Sequence, residues 1–136
     1  MNPIILYSHE GRNTAFAASR AASFLRCPKA VVAKNPDLTP YDLIIMVMPI
    51  MGDEELHPEM ERYLLGLQTR DKQYCLCELG NFLGLAYTGC REIAEHLLQK
   101  LGWTPRVCHS IDSFPELDQP ALRKWIDELI ALRHLH

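Results

Sequence analysis

The sequence has no long apolar run of the kind that a membrane span requires. Nowhere in its 136 residues does it approach the roughly 18 consecutive apolar residues needed to cross a bilayer. The opening stretch, MNPIILYSHEGR, contains a short apolar run, but no basic region precedes it and no plausible cleavage site follows. It is interpreted as a first strand and not as a signal peptide. We therefore expect a cytoplasmic protein without membrane contact.

The sequence also has no C-x-x-C pair. Its five cysteines lie at positions 27, 75, 77, 90 and 108. This irregular spacing predicts neither a zinc site nor a thioredoxin-type motif, and an odd number of cysteines favours reduced thiols. Cys75 and Cys77 are two residues apart in an apolar segment, where packing in the core is the simpler role. The histidines show no ligand spacing, so no metal site is predicted.

A strong excess of one charge is absent too. There are 14 basic and 17 acidic residues, a formal net charge of −3, and no basic cluster stands out. This balance argues against nucleic-acid binding. Hydrophobic residues make up 48% of the chain and charged residues 23%, and we find no repeat, linker or low-complexity tract. These values predict one soluble globular domain over residues 1–136.

What the sequence does contain is an alternation of short apolar runs and longer helical stripes. Strands are predicted at Pro3–Tyr7, Ala30–Ala33, Leu43–Met48, Gln73–Leu79 and Arg106–Ile111. Helices are predicted from Thr14 to about Arg26, from Pro58 to Leu67, from Cys90 to Leu101 and after the N-cap Asp118. This alternation is typical of an α/β three-layer sandwich with a five-stranded parallel sheet, for which the order 2-1-3-4-5 is common at this size.

Three loops of such a sheet are candidates for ligand binding. Ligands bind beyond the carboxyl ends of the strands, at the point where the winding direction switches, which here lies between strands 1 and 3. The loops after strands 1, 3 and 4 read SHEGRNT (8–14), PIMGDEEL (49–56) and GNFLGLAYTG (80–89). The first offers hydroxyl and amide donors, a glycine and a following helix N-terminus, all suited to an anion. A merely capped turn is the alternative, and the loop is neither a P-loop nor G-x-G-x-x-G.

Taken together, the three loops resemble those of the flavodoxin family. SHEGRNT is similar to the phosphate loop T/S-x-T-G-x-T, and PIMGDEEL is similar to P-T-W-G-D-G-E-L-P. The segment CELGNF (77–82) looks like F-G-x-G-D followed by an aromatic residue. The resemblance implies that FMN is bound by Ser8, His9, Glu10, Gly11, Arg12, Asn13, Thr14, Pro49, Ile50, Met51, Gly52, Asp53, Leu79, Gly80, Asn81 and Phe82.

The resemblance also implies a function. A flavodoxin-type protein is a low-potential electron carrier in which no side chain acts as acid, base or nucleophile. Carboxylates at 53–55 would disfavour negative charge on the flavin, lower the second reduction potential and give an acidic docking rim. The expected partners are a flavin reductase and redox acceptor proteins that dock transiently with a monomer or weak dimer.

Several positions depart from the family pattern. Glu10 replaces a threonine, Met51 replaces a stacking tryptophan, and Glu78 replaces a glycine and could crowd the flavin ring. Phe82 comes slightly before the usual tyrosine, with Tyr87 as a second candidate. These departures favour an alternative, a flavodoxin-like protein-interaction module that binds FMN weakly or not at all.

Two other classes of protein share this fold. A specialised partner of ribonucleotide reductase would need an extended glycine-rich loop. A phosphoacceptor receiver domain would need paired acids after strand 1 and a lysine after strand 5. The sequence has neither this glycine-rich loop nor the paired acids and lysine of a receiver domain.

Overall fold

The computed structural model describes residues 1–8, 11–51, 55–81 and 91–134, with the backbone alone at Met51 and Glu55. Its strands are β1 (Pro3–Tyr7), β2 (Lys29–Val31), β3 (Leu43–Met51), β4 (Glu55–Leu56), β5 (Gln73–Gly80) and β6 (Thr104–Asp112). Its helices are α1 (Arg12–Leu25), α2 (Pro58–Gly66), α3 (Arg91–Lys100) and α4 (Gln119–His134). A short 3₁₀ turn, Val32–Lys34, follows β2.

Five of the strands form a parallel sheet in the order β2-β1-β3-β5-β6. Counted along the chain, these five strands have the predicted order 2-1-3-4-5, so that prediction is confirmed. The register sets Ile5 of β1 beside Ile45 of β3, and Ile45 beside Cys75 of β5. The chain winds from β1 to β2 in one direction and from β3 to β6 in the other, so the switch lies between β1 and β3.

The helices cover both faces of the sheet, which confirms the three-layer sandwich. One buried cluster packs α1 and α4 against sheet residues that include Ile5, Ile45 and Cys77. A second cluster packs α2 and α3 against the opposite face, where Ile44 and Leu76 lie. Because alternate residues of each central strand enter opposite clusters, both faces of the strand need apolar side chains. This explains the continuous apolar runs in the sequence.

Some boundaries differ from the prediction. Helix α1 begins at Arg12 and not at Thr14, because Gly11 takes a φ of 98° that ends the preceding loop there. The predicted second strand ends at Val31, and its last two residues enter the 3₁₀ turn instead. The predicted cap of α4 is confirmed, since the Asp118 Oδ1 accepts a hydrogen bond from the Ala121 N–H at 3.1 Å. The predicted helical residue Cys90 lies outside the described residues.

None of the helices in the described part of the chain is long and apolar enough to cross a membrane. The four described cysteines are free thiols. Cys75 and Cys77 are fully buried in the cluster under α1 and α4, as predicted from their spacing. Burial raises the pKa of the Cys75 thiol to about 12 and that of Cys77 beyond the ordinary range. Both thiols are therefore neutral packing groups and not thiolate nucleophiles.

Candidate functional site

The carboxyl ends of β1, β3 and β5 lie at one edge of the sheet, directly at the switch between β1 and β3. Of the sixteen residues predicted to bind FMN, the structure describes eleven and brings them to this edge. His9, Glu10, Gly52, Asp53 and Phe82 lie outside the described residues. Their predicted roles stay predictions.

Ser8 follows β1 directly and is completely buried. Its hydroxyl oxygen has no hydrogen-bond partner among the described residues. A buried polar group in that state costs about 1–3 kcal/mol of folding free energy, so it calls for an explanation. The chain returns from this point into the N-terminus of α1, where backbone N–H groups and the helix dipole favour an anion.

Gly11 is the residue before α1, and its positive φ of 98° is one that residues with side chains rarely adopt. A Cβ added there would lie 3.1 Å from the hydroxyl oxygen of Thr14, which is itself buried. Glycine also has no side chain that could cap the N–H groups of the first turn. The N-cap residue therefore gives no side-chain hydrogen bond to the first turn of α1, although a capped turn was the alternative for this loop.

The remaining residues of the first predicted loop lie within the first turn of α1. Arg12 is exposed. Asn13 directs its Nδ2 to the carbonyl oxygen of Ser113 at 3.4 Å, a long hydrogen bond to the connection between β6 and α4. Sequence reasoning missed this connection. Ser113 also donates its N–H to the Gly80 carbonyl at 2.9 Å, which places residues 112–118 beside the third loop. The signal was their position directly after a strand of the same parallel sheet.

The second predicted loop is shorter in the structure than in the sequence prediction. Pro49, Ile50 and Met51 belong to β3, and the chain then returns antiparallel as β4, with Ile50 opposite Leu56. A proline and a glycine in PIMGDEEL favoured a loop, but a short hairpin satisfies more backbone hydrogen bonds than an open loop would. The acidic residues 53 and 54 lie outside the described residues.

The described residues of the third predicted site segment lie partly in the core and partly at the edge of the sheet. Leu79 is buried in the cluster under α1 and α4, which gives it a packing role. Gly80 lies against Ile50, because a Cβ added to Gly80 would be only 2.6 Å from the Ile50 Cδ1. Asn81 is exposed. The ends of β3 and β5 therefore share an apolar surface formed by Ile50 on the bare backbone of Gly80.

Glu78 is fully buried, but it has partners for its charge. Its Oε1 accepts a hydrogen bond from the Ser110 hydroxyl at 2.5 Å, and its Oε2 accepts one from the Arg91 N–H at 2.9 Å. Alternation along β5 puts this carboxylate on the same face as Leu76, under α2 and α3. It therefore supports the start of α3, and the structure gives no support to the expectation that it crowds a flavin ring.

His57 is buried and caps α2. Its Nδ1 accepts a hydrogen bond from the Glu59 N–H at 3.2 Å. Within the described ranges, no group of three or more histidine, cysteine or acidic residues could hold a metal ion.

These residues fit the parts of FMN. The buried hydroxyl of Ser8 and the uncapped N-terminus of α1 suit a phosphate group. The surface formed by Ile50 and Gly80 suits a planar apolar ring. Glu78 lies on the same face of β5 as Gly80, and its carboxylate accepts hydrogen bonds from Ser110 and from the backbone of Arg91.

No protein-family model matches the sequence, and no curated protein does. Solved structures match well. The oxidised flavodoxin 2 of Bacillus cereus is 21% identical, with a TM-score of 0.78 and 100% of each chain covered. A flavodoxin of Streptococcus pneumoniae is 19% identical, with a TM-score of 0.75 over 96% of this chain and 99% of that one. A Fusobacterium nucleatum flavodoxin bound to flavin mononucleotide is 17% identical, with a TM-score of 0.71 over 96% and 98%.

These similarities extend over the full length of the chain, and they establish that it has the flavodoxin-like fold. At these identities they do not carry residue roles with them. The assignment of a ligand therefore depends on the chemistry of the edge formed by β1, β3 and β5.

Proposed function

We propose that this protein binds FMN at the carboxyl edge of β1, β3 and β5 and serves as a low-potential electron carrier of flavodoxin type. The observation that carries the proposal is the buried hydroxyl of Ser8, without a partner among the described residues, directly before the uncapped N-terminus of α1. The flavodoxin-like fold and the FMN-bound flavodoxin of Fusobacterium nucleatum support it.

Different residues of this edge bind the phosphate and the ring of FMN. The Ser8 hydroxyl and the N–H groups of the first turn of α1 hold the phosphate by hydrogen bonds, and Gly11 permits their close approach. Ile50 packs against the ring and excludes water from one side of it. When bound, FMN supplies the redox chemistry, and the protein supplies binding, orientation and electrostatics. The carboxylates at 53–55 then disfavour added negative charge.

The proposed partners follow from the role of a carrier. Electrons arrive from a flavin reductase and leave to redox acceptor proteins, each docking transiently on an acidic rim, with the carrier as a monomer or weak dimer in the cytoplasm. Weak contacts of small area suit repeated docking and release.

The second candidate is a flavodoxin-like interaction module that binds FMN weakly or not at all. The substitutions at Glu10 and Met51 favour it. Glu78 is the third such substitution, and its carboxylate accepts hydrogen bonds from Ser110 and from the backbone of Arg91.

The deciding experiment is the visible spectrum of the purified protein, followed by titration of the apoprotein with FMN and with riboflavin, which lacks the phosphate. We expect quenching of FMN fluorescence at sub-micromolar concentration. Riboflavin should bind about tenfold more weakly or worse, because it loses charge-assisted hydrogen bonds. A reversible reductive titration of the complex then tests electron transfer. A colourless protein that ignores both flavins would overturn the proposal in favour of the interaction module.

A further inference from the structure

The strongest feature outside this edge is a row of arginine and phenylalanine side chains on α1. Positions 12, 16, 20 and 24 follow one another at intervals of four and read Arg, Phe, Arg, Phe. This spacing puts all four on one face of the helix. Phe16 and Phe24 are 38% and 39% exposed, although apolar rings of this size are usually buried. We call Phe16, Arg20 and Phe24, together with Arg123 of α4, the Arg/Phe face; Arg12 belongs to the edge described above.

The arginines of this face are held in place by the rings. The guanidinium carbon of Arg20 lies 5.6 Å from the centre of the Phe16 ring and 5.7 Å from that of Phe24. Arg123 lies 4.2 Å from the centre of Phe24. Stacking orders the guanidinium groups and leaves their N–H donors in the ring-parallel plane, where carboxylates can accept from them, as Asp127 already does from the Arg123 Nε. Less side-chain entropy is then lost when a partner binds.

An open depression of about 500 Å³ continues the face between α1 and α4. It is lined by Phe24, Leu25, Arg26, Ile130, Arg133 and His134, so it has an apolar floor and a cationic rim. None of the described residues that line it is acidic. Beside the face, the carboxylate of Asp127 pairs with Arg123 at 2.9 Å, and the Asp127 side chain is more than half exposed.

Basic residues are concentrated in the segment of the chain that contains α1. Residues 11–36 contain five basic residues and no acidic one. Since the whole chain has 14 basic and 17 acidic residues, the rest has nine against 17, a formal charge of −8. The expectation that no basic cluster stands out is therefore wrong for this segment. Its basic charges were hidden in the sequence because alanines and serines separate them.

We propose that the Arg/Phe face and the adjoining depression dock an acidic segment of another protein, with an apolar side chain of that segment in the depression. Arginine and aromatic residues are the side chains most enriched at the energetic centres of protein interfaces. Charge complementarity selects an acidic partner. This inference does not depend on FMN binding.

Two other occupants fit the face less well. Single-stranded nucleic acid needs open ring faces for base stacking, but Arg20 and Arg123 already lie over the rings. The charge of −8 on the rest of the chain also repels a long polyanion. A symmetric dimer through this face would bring two patches of the same positive charge together, which costs electrostatic energy.

The test begins with random dodecapeptides displayed on phage and selected on the whole protein. Recovered peptides are synthesised and their affinity is measured by fluorescence anisotropy at low and physiological salt. Two double variants are compared. Arg20→Ser with Arg123→Ser removes two cations from the face, and Arg62→Ser with Lys100→Ser removes two exposed cations from α2 and α3, on the other side of the sheet. Circular dichroism checks that both are folded.

We expect recovered peptides rich in aspartate and glutamate, whose affinity falls with salt. The Arg20/Arg123 variant should bind them at least about tenfold more weakly, and the Arg62/Lys100 variant as well as the wild type. Peptides without an acidic excess, or equal losses in both variants, would overturn the proposal. So would tighter binding of a DNA oligonucleotide to the same face, or self-association in size-exclusion chromatography that the Arg20/Arg123 variant abolishes.

Discussion

Replacing Ser8 by alanine should change stability and FMN affinity in opposite directions. In the apoprotein the Ser8 hydroxyl is buried without a partner among the described residues, so removing its oxygen removes a desolvated group and breaks no described hydrogen bond. A buried polar group without a hydrogen bond lowers the free energy of unfolding by about 1–3 kcal/mol. We therefore expect the Ser8→Ala apoprotein to be more stable by about 1 kcal/mol or more, and its melting temperature to rise by about 4 °C.

The same change should weaken FMN binding, because the phosphate loses one donor. A hydrogen bond to a charged group contributes about 1.5–3 kcal/mol, which corresponds to a dissociation constant larger by about tenfold to hundredfold. Riboflavin has no phosphate, so its affinity should stay as it is in the wild type. Urea unfolding of the apoprotein and fluorescence titration with both flavins measure the three quantities on one preparation.

Ser110→Ala provides the matched control. The Ser110 hydroxyl donates to the buried carboxylate of Glu78 at 2.5 Å, so its removal should destabilise the apoprotein by about 1 kcal/mol or more and leave the ratio of FMN to riboflavin affinity unchanged. If Ser8→Ala instead destabilises the apoprotein, the hydroxyl has a structural partner and is not kept for a ligand. If FMN affinity is unaffected, the phosphate lies elsewhere.

Three further predictions concern the site and the core. Gly11→Asp adds a Cβ at a φ of 98° and a negative charge at the α1 N-terminus, so FMN retention should be lost while circular dichroism still shows the fold; unchanged retention would exclude this loop. Asp53→Asn with Glu54→Gln should raise the lower reduction potential in spectroelectrochemistry, and no shift would mean that these carboxylates serve docking alone. Burial raises the pKa of the thiols of Cys75 and Cys77, so their contribution to stability is complete below pH 9 and is lost as the pH rises, by about 1.4 kcal/mol per thiol at pH 10. Urea unfolding at pH 8 and pH 10 should show this loss, and Cys75→Ala with Cys77→Ala should reduce it; an equal loss in that variant would assign it to other groups.

The architecture could be predicted because it depends on patterns that are local in the sequence. The run Leu43–Met48 is apolar at every position, which only a strand covered on both faces requires, and the alternation with helices then leaves few sheet orders. The hairpin of β3 and β4 could not be predicted in the same way. Its pairing of Ile50 with Leu56 depends on backbone hydrogen bonds that Pro49 and Gly52 give no reason to expect.

The candidate site shows the same division. Ser8 and Gly11 were predicted as ligand residues from their type and position. That the Ser8 hydroxyl is buried, however, depends on how the whole sheet packs. The hydrogen bond from Ser110 to Glu78 could not be predicted, because the two residues are 32 positions apart in the chain. Likewise, the spacing of Arg20 and its neighbours could be read on α1, but the contact with Arg123 exists only once α4 packs beside α1.

The choice between an FMN carrier and an FMN-free module can be argued from folding free energy. In a module without a ligand, the buried and unbonded hydroxyl of Ser8 would lower the free energy of unfolding by about 1–3 kcal/mol and would have no function. Gly11 adds a second cost, because glycine loses more backbone entropy on folding than other residues do. Gly11 accepts a hydrogen bond from the Ala15 N–H at 3.2 Å, which begins α1, but the Ser8 hydroxyl has no partner among the described residues that would offset its cost, and a phosphate at the α1 N-terminus would supply one. If FMN binds at this edge as proposed, the stability of the protein should rise with FMN concentration, as mass action requires.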